Sequence, residues 1–307
     1  MISELKIGQK IHAAFLVRVQ KIGISSNGKS FARGLLEDAS GTIGFICFDQ
    51  DAVDKLRLVE QPVPFVIAGG VDVNKFSEEM KLQIMVQKVS DLMPEDDISH
   101  LVPVGDFDHE AYEAQLKRYI EMIKSPVIRT LAGNIFTGQI YDAFVKNPAG
   151  MRLHHAYLGG LLQHSVDVTR LALAMADAIG GLDKDLVIAG ALLHDIGKLR
   201  EISAEMGFPY TTEGRLLGHI TMSAMMVQRQ ADALKMPAST TEQLLHIIVS
   251  HHGDKEKGSP ICCETKEAFV VHYADELDAT MNQFKPAKED TWNFNKMLQR
   301  YLLDRKA

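Results

Sequence analysis

Residues 189–199 read AGALLHDIGKL. The small and apolar residues up to Leu193 fit a buried helix, and Gly197 marks its end. The run closes on the doublet His194-Asp195. Neighbours on a regular helix point about 100° apart, but where the helix stops at the doublet both side chains can serve one site. An imidazole can hold one divalent cation while a carboxylate bridges two. A His-Asp pair occurs by chance in many long chains, so its weight depends on what surrounds it.

Outward from the doublet, further imidazoles and carboxylates fall at helical positions. His164 lies in AYLGGLLQHSVDVTRLALAM (156–175), on one face with Val168 and Leu171. His219 follows in GRLLGHITMSAMM (214–226), near the start of the next helix. His251 and His252 close TTEQLLHIIVSHHG (240–253), with Gly253 as terminator. Asp275 lies in EAFVVHYADELDATM (267–281), where Val271, Asp275 and Asp278 share a face. Asp275 is the expected ligand; Asp278 is either a second acid of the site or a solvated or capping carboxylate. A second doublet, His154-His155, either borders the site or caps a helix. A ligand set of imidazole and carboxylate without thiolate suits Mn, Fe, Co, Ni or Zn. Two such cations activate a water and neutralise a phosphate. Lys198, one turn after His194, is within reach of a phosphate oxygen. P-loop, dinucleotide-binding and nucleophile-elbow motifs are absent from the sequence.

The first ninety residues have a different period. QKIHAAFLVRVQKI, SFARGLLED, GTIGFICF, VPFVIAGGVDV and MKLQIMVQKV read as five strands, separated by turn-rich segments such as SSNGKS and VNKFSEE. A short helix, QDAVDKLRLV, stands between the third and fourth. This is the order of an OB-fold barrel, which binds single strands through a basic groove and stacking aromatics. Phe31 and Arg33 on the second strand, and Lys75 and Phe76 in the last hairpin, are the expected nucleic-acid contacts. Phe45 is either a further stacking residue or, with Phe15 and Phe48, part of the barrel core.

The expected architecture is a multi-domain α and β chain: residues 1–90 an OB-fold nucleic-acid-binding domain, 91–125 a linker and connecting helix opened by Asp108, and 126–307 an all-α helical bundle. The apolar residues after 280, among them Trp292, Phe294, Met297, Leu298, Tyr301 and Leu302, read as helices that close the core or pack on another copy in a homo-oligomer. The 307 residues carry a net charge of −7, which argues against a generic polyanion binder. Residues 1–90 hold 11 Lys+Arg against 10 Asp+Glu, so the acidic excess falls in the half with the ligands, where bound cations would offset it. Three cysteines without a C-x-x-C pair give no disulfide framework. With no secretory signal and no apolar span, a cytoplasmic setting without membrane contact is expected.

The order H…HD…H…HH…D, with HDIGK at its centre, resembles the HD superfamily of metal-dependent phosphohydrolases. HHAYLGGLLQHS, AGALLHDIGK, EGRLLGHI, SHHGDKEKGSP and HYADELDA look more narrowly like the YhaM-type 3′–5′ exoribonucleases, which join an N-terminal OB-fold to an HD domain. The resemblance implies hydrolysis of single-stranded RNA, and often DNA, to nucleoside 5′-monophosphates, with manganese or cobalt as activating metal. It implies one cation held by His164, His194, Asp195 and Asp275, and another sharing Asp195 and adding His219, His251 and His252. Asp195 and Lys198 are the expected catalytic residues. Competing expectations are a nucleotidase or cyclic-nucleotide phosphodiesterase with a regulatory barrel, and a non-catalytic single-strand-binding protein.

Overall fold

The structure is a computed structural model. It describes the chain except residues 26, 59–61, 75–80, 152–154, 285–286, 288, 296–297 and 307, and the side chain of residue 99. The described residues form two compact units, Met1–Val104 with Glu205–Pro209, and Gly105–Ala204 with Tyr210–Ala307.

The first unit is a closed barrel of β1 (Lys10–Ile24), β2 (Ser30–Asp38), β3 (Gly41–Cys47), β4 (Val63–Val73) and β5 (Leu82–Ser90). Its strand order is β1-β2-β3-β5-β4, with β3 and β5 parallel and the other neighbours antiparallel. That is the predicted five-stranded OB arrangement. Alternation builds it: Ala32, Leu36, Phe45, Ile67 and Ile84 point into the core, while Phe31 and Arg33 point the other way. The helix α1 (Gln50–Leu56) stands between β3 and β4, capped by Asp49, whose side chain accepts from the Ala52 amide.

The second unit is built on α2 (His109–Met122), α3 (Pro126–Ile135), α4 (Gly138–Phe144), α5 (Gly160–Ile179), α6 (Lys184–Leu193), α7 (Lys198–Glu201), α8 (Thr212–Ala233), α9 (Ala238–Ser250) and α10 (Lys266–Met281). Every residue of α6 from Leu186 to Leu193 is buried. A helix apolar all round needs partners on all sides, and α6 packs on α2, α3, α5, α9 and α10. Asp108, Asp183 and Thr265 cap α2, α6 and α10 with their side-chain oxygens. Among the described residues no helix is long and apolar enough to cross a membrane.

The end of the chain departs from expectation. In place of helices after residue 280 stand two antiparallel strands, β6 (Thr291–Asn295) and β7 (Arg300–Asp304). In TWNFN the aromatics alternate with polar residues, a period of two that a short apolar run disguises. Leu302 is buried, whereas Trp292, Phe294 and Tyr301 are exposed. Met297 lies outside the described residues.

Candidate metal centre

Two helix ends, one helix break and two helix interiors bring the predicted ligands together. His164 projects from the second turn of α5 and Asp275 from α10. His194 caps α6 and His251 caps α9, so His194-Asp195 and His251-His252 turn inward where regular hydrogen bonding ceases. His219 owes its position to two glycines. Gly218, with φ +70°, breaks α8, so His219 opens a fresh helical segment. Gly197 lies so close to α8 that a β-carbon there would stand 2.2 Å from the His219 carbonyl oxygen. Any larger residue would push His219 away from Asp195.

Asp195 lies between two nests. Its Oδ2 is 3.3 Å from His164 Nε2 and 3.3 Å from His194 Nε2. Asp275 Oδ1 is 3.2 Å from His164 Nε2 and 3.8 Å from His194 Nε2, and the two Nε2 atoms are 3.1 Å apart. The other oxygen, Oδ1, is 3.4 Å from His219 Nε2 and 3.6 Å from His251 Nε2. His252 joins His219 and His251 in offering a ring nitrogen to the same point. Ligand atoms about 2.0–2.2 Å from one cation stand about 3.0–3.5 Å from each other, and the distances here run from 3.1 to 3.8 Å.

Each of these imidazoles has its other nitrogen engaged. Nδ1 of His194 donates to the Ala191 carbonyl at 2.8 Å, that of His251 to Ile248 at 2.7 Å, and that of His252 to Lys257 at 2.9 Å. His164 Nδ1 donates to Asp278 at 2.7 Å and His219 Nδ1 to Glu201 at 3.0 Å. Protons fixed on Nδ1 leave the Nε2 lone pairs for a cation. Asp195 Oδ1, His219 Nε2 and His251 Nε2 are buried without a hydrogen-bond partner. Orphaned polar atoms are costly, and a divalent cation would satisfy all three. The donor set therefore fits divalent metal ions.

Electrostatics agree. Burial works against the Asp195 carboxylate, but Lys198 and then His194 and His164 outweigh it and hold it well below the usual range. Asp275 is likewise lowered against burial, chiefly by His164. Burial holds His251 well below the ordinary imidazole value, helped by His194, and also lowers His252. Both are thus neutral and ready to ligate. His164 goes the other way: its bonds to Asp195, Asp275 and Asp278 overcome burial and raise it well above that value. Lys198 Nζ, 2.6 Å from Asp195 Oδ2, is raised against burial by that carboxylate.

The nests open onto a cavity of ≈ 760 Å³ lined by Asp195, Lys198, His219, His252 and Asp275, with Met151, Ile202 and Tyr210 among the other walls. Three groups beside the ligands had escaped assignment. Asp278 belongs to the site through His164. Glu201 receives both the amide and Nδ1 of His219. His272 Nδ1 donates to the His251 carbonyl. Nothing in the local pattern marks Glu201 or His272, because their partners are remote in sequence. Of the second doublet, His155 is buried against Asp278, and His154 lies outside the described residues.

On the barrel, Arg33 is exposed and Phe31 half-buried on the outer face of β2. Phe31 lies over Gly23 of β1, and Arg33 pairs with exposed Lys21. Phe15 and Phe45 are core residues. Phe48 is not: it is 43% exposed, with its ring 6.3 Å from that of Phe31. It follows the last residue of β3 and so escapes the inward alternation. Lys75 and Phe76 lie outside the described residues.

Residues 161–280 match the HD domain. The HD domain so defined contains every predicted metal ligand, and Asp278 as well. Among solved structures the chain is similar to the HD domain of the L. monocytogenes phosphodiesterase PgpH, at 19% identity over 48% of this chain and 76% of that one, with a TM-score of 0.33. The chain joins an N-terminal five-stranded barrel to a helical unit whose residues 161–280 match the HD domain.

Proposed function

We propose that the chain is a metal-dependent 3′–5′ exonuclease that shortens single-stranded RNA, and single-stranded DNA as a second substrate, to nucleoside 5′-monophosphates. The observation that carries this reading is the division of one carboxylate: Asp195 turns Oδ2 toward His164 and His194 and Oδ1 toward His219 and His251. Two cations held there, with manganese the first choice and cobalt, iron, nickel or zinc the others, would supply an activated water and neutralise the scissile phosphate. His164, His194 and Asp275 would hold one, His219, His251 and His252 the other, and Asp195 both.

The remaining roles belong to the protein. Lys198 lines the cavity and offers an ammonium to a non-bridging phosphate oxygen, so charge developing there meets a fixed donor. The Nδ1 bonds hold the imidazoles in place without reorganisation. Phe31, Phe48, Arg33 and Lys21 present two aromatic rings and two cations on one barrel surface. That combination suits a strand whose bases stack and whose phosphates are neutralised.

The test is end-labelled RNA and DNA of mixed sequence, incubated with metal-stripped protein and a series of divalent ions. A ladder shortening from the 3′ end and ending in 5′-monophosphates is expected. Rapid hydrolysis of mononucleotides or cyclic nucleotides with the oligomer left intact would replace this reading with a nucleotidase or phosphodiesterase carrying a regulatory barrel. Strand binding with no hydrolysis of any phosphoester would leave a binding protein.

A further inference from the structure

His155 precedes the HD match and is none of the predicted ligands, yet its ring packs against that of His164, with centroids 5.4 Å apart, and it is tightly held. It is 2% exposed and adopts φ +50°, a left-handed conformation uncommon for residues other than glycine. Such strain persists only where surrounding bonds enforce it, and here they do. The His155 amide donates to Asn282 Oδ1 at 2.8 Å, and its carbonyl accepts from the amides of Ala149 and Tyr157. The ring is held at both nitrogens: Nδ1 lies 2.6 Å from the Tyr157 hydroxyl and Nε2 2.8 Å from Asp278 Oδ2. Tyr157 donates onward to Gln163 Oε1 at 2.6 Å.

Asp278 Oδ2 therefore takes two imidazoles, Nε2 of His155 and Nδ1 of His164. The bond to His164 turns that ring so that its Nε2 faces Asp195 and Asp275. A carboxylate shared in this way cannot swing away from His164 without breaking its bond to His155. The Nδ1 atoms of His219 and His251 rest elsewhere, on Glu201 and on the Ile248 carbonyl.

We propose that His155 and Asp278 are positioning residues for one nest only: they lock His164 in the orientation and tautomer needed to hold the cation shared by His194, Asp195 and Asp275. This rests on the two-cation reading of the site and does not depend on the substrate. The same segment carries Ala149 and Met151 into the cavity wall, so His155 also ties that wall to the ligand.

The test titrates Mn²⁺ into metal-stripped full-length protein by calorimetry. Wild type is expected to take up two ions. Asp278→Asn is expected to weaken one of them by about 10–100-fold, the usual effect of losing such a partner, and to leave the other unchanged. Adding His219→Ala to Asp278→Asn is expected to impair both. His155→Ala should weaken the same ion as Asp278→Asn, and His155→Gln, which restores a donor, should recover part of the loss. A folded Asp278→Asn protein with two unaltered affinities, or with both equally weakened, would overturn the proposal. If these variants do not fold, imidazole ¹⁵N spectra of zinc-loaded wild type decide: a His164 ring protonated at Nδ1 supports it, and one ligating through Nδ1 overturns it. Wild type that binds two ions but shortens no oligonucleotide would refute the nuclease and leave the positioning role intact.

Discussion

Lys198 Nζ stands 2.6 Å from Asp195 Oδ2, the carboxylate oxygen that also faces His164 and His194. A cation held there would compete with the ammonium for that oxygen, and the lysine borders the cavity into which it would turn when displaced. Lys198→Met removes the competitor and the phosphate donor together. Manganese affinity is expected to hold or rise, while kcat falls about 100-fold or more, as for loss of a single charged transition-state contact. Calorimetry and single-turnover hydrolysis separate the two. A parallel fall in metal affinity and kcat would instead make Lys198 a structural support for Asp195.

Asp195→Ala should be more severe. It deletes the group common to both nests and leaves Lys198 and His164 buried without their main counter-charge. Breaking a buried pair in this way costs about 3–5 kcal/mol, so the melting temperature of the stripped protein is expected to drop. Hydrolysis is expected to vanish, and the strand binding proposed for the barrel is expected to persist in an electrophoretic shift assay. Nuclease activity at wild-type level would remove Asp195 from the mechanism.

The clustering of the candidate ligands was legible because each lies at a helix end or on an apolar helix face, where spacing alone betrays direction. His194 and His251 could be placed at caps from the glycines that follow them. Their partners were not legible in the same way. Asp278 shares a face with Asp275, but only the packing of α5 on α10 shows that it receives His164. Glu201 and His155 act through bonds to residues 18 and 123 positions away, a distance no local pattern spans. The barrel followed from alternation of its strands. The β6–β7 hairpin did not, because five-residue runs are too short to separate a period of two from one of 3.6.

The opposed shifts in the site predict a pH signature. His164 is raised, so the stability it gives the stripped protein is present below the ordinary imidazole value of about 6.5 and is lost as pH rises through its raised value. His251 and His252 are lowered, so their contribution is present above about 6.5 and is lost as pH falls through their lowered values. Stripped protein should thus be most stable close to neutrality. Cation binding demands a neutral His164 and removes the alkaline loss. Thermal melts between about pH 5 and 9 should show a manganese-induced increment that grows with pH. A flat increment would mean that no proton leaves the site when metal enters.

Phe31 and Arg33 allow the barrel's part to be separated from the metal centre's. The half-buried Phe31 ring packs over Gly23, where a side chain would collide with it, and lies 6.3 Å from the exposed Phe48 ring. Stacking of one base on one aromatic contributes about 1–3 kcal/mol, so Phe31→Ala should weaken single-strand binding by about 5–150-fold. Arg33→Ala should do something different. Losing one phosphate contact weakens binding across all sequences and reduces the salt dependence by about 0.7 in the log–log slope for a single strand. Neither change touches the metal ligands, so kcat on a saturating substrate should stay at the wild-type value while KM for long oligomers rises. Fluorescence anisotropy at several salt concentrations, paired with steady-state kinetics on long and dinucleotide substrates, measures both effects. Equal losses on dinucleotide and long oligomer would refute a strand-gripping role for this face, because a dinucleotide has no further bases to stack on it.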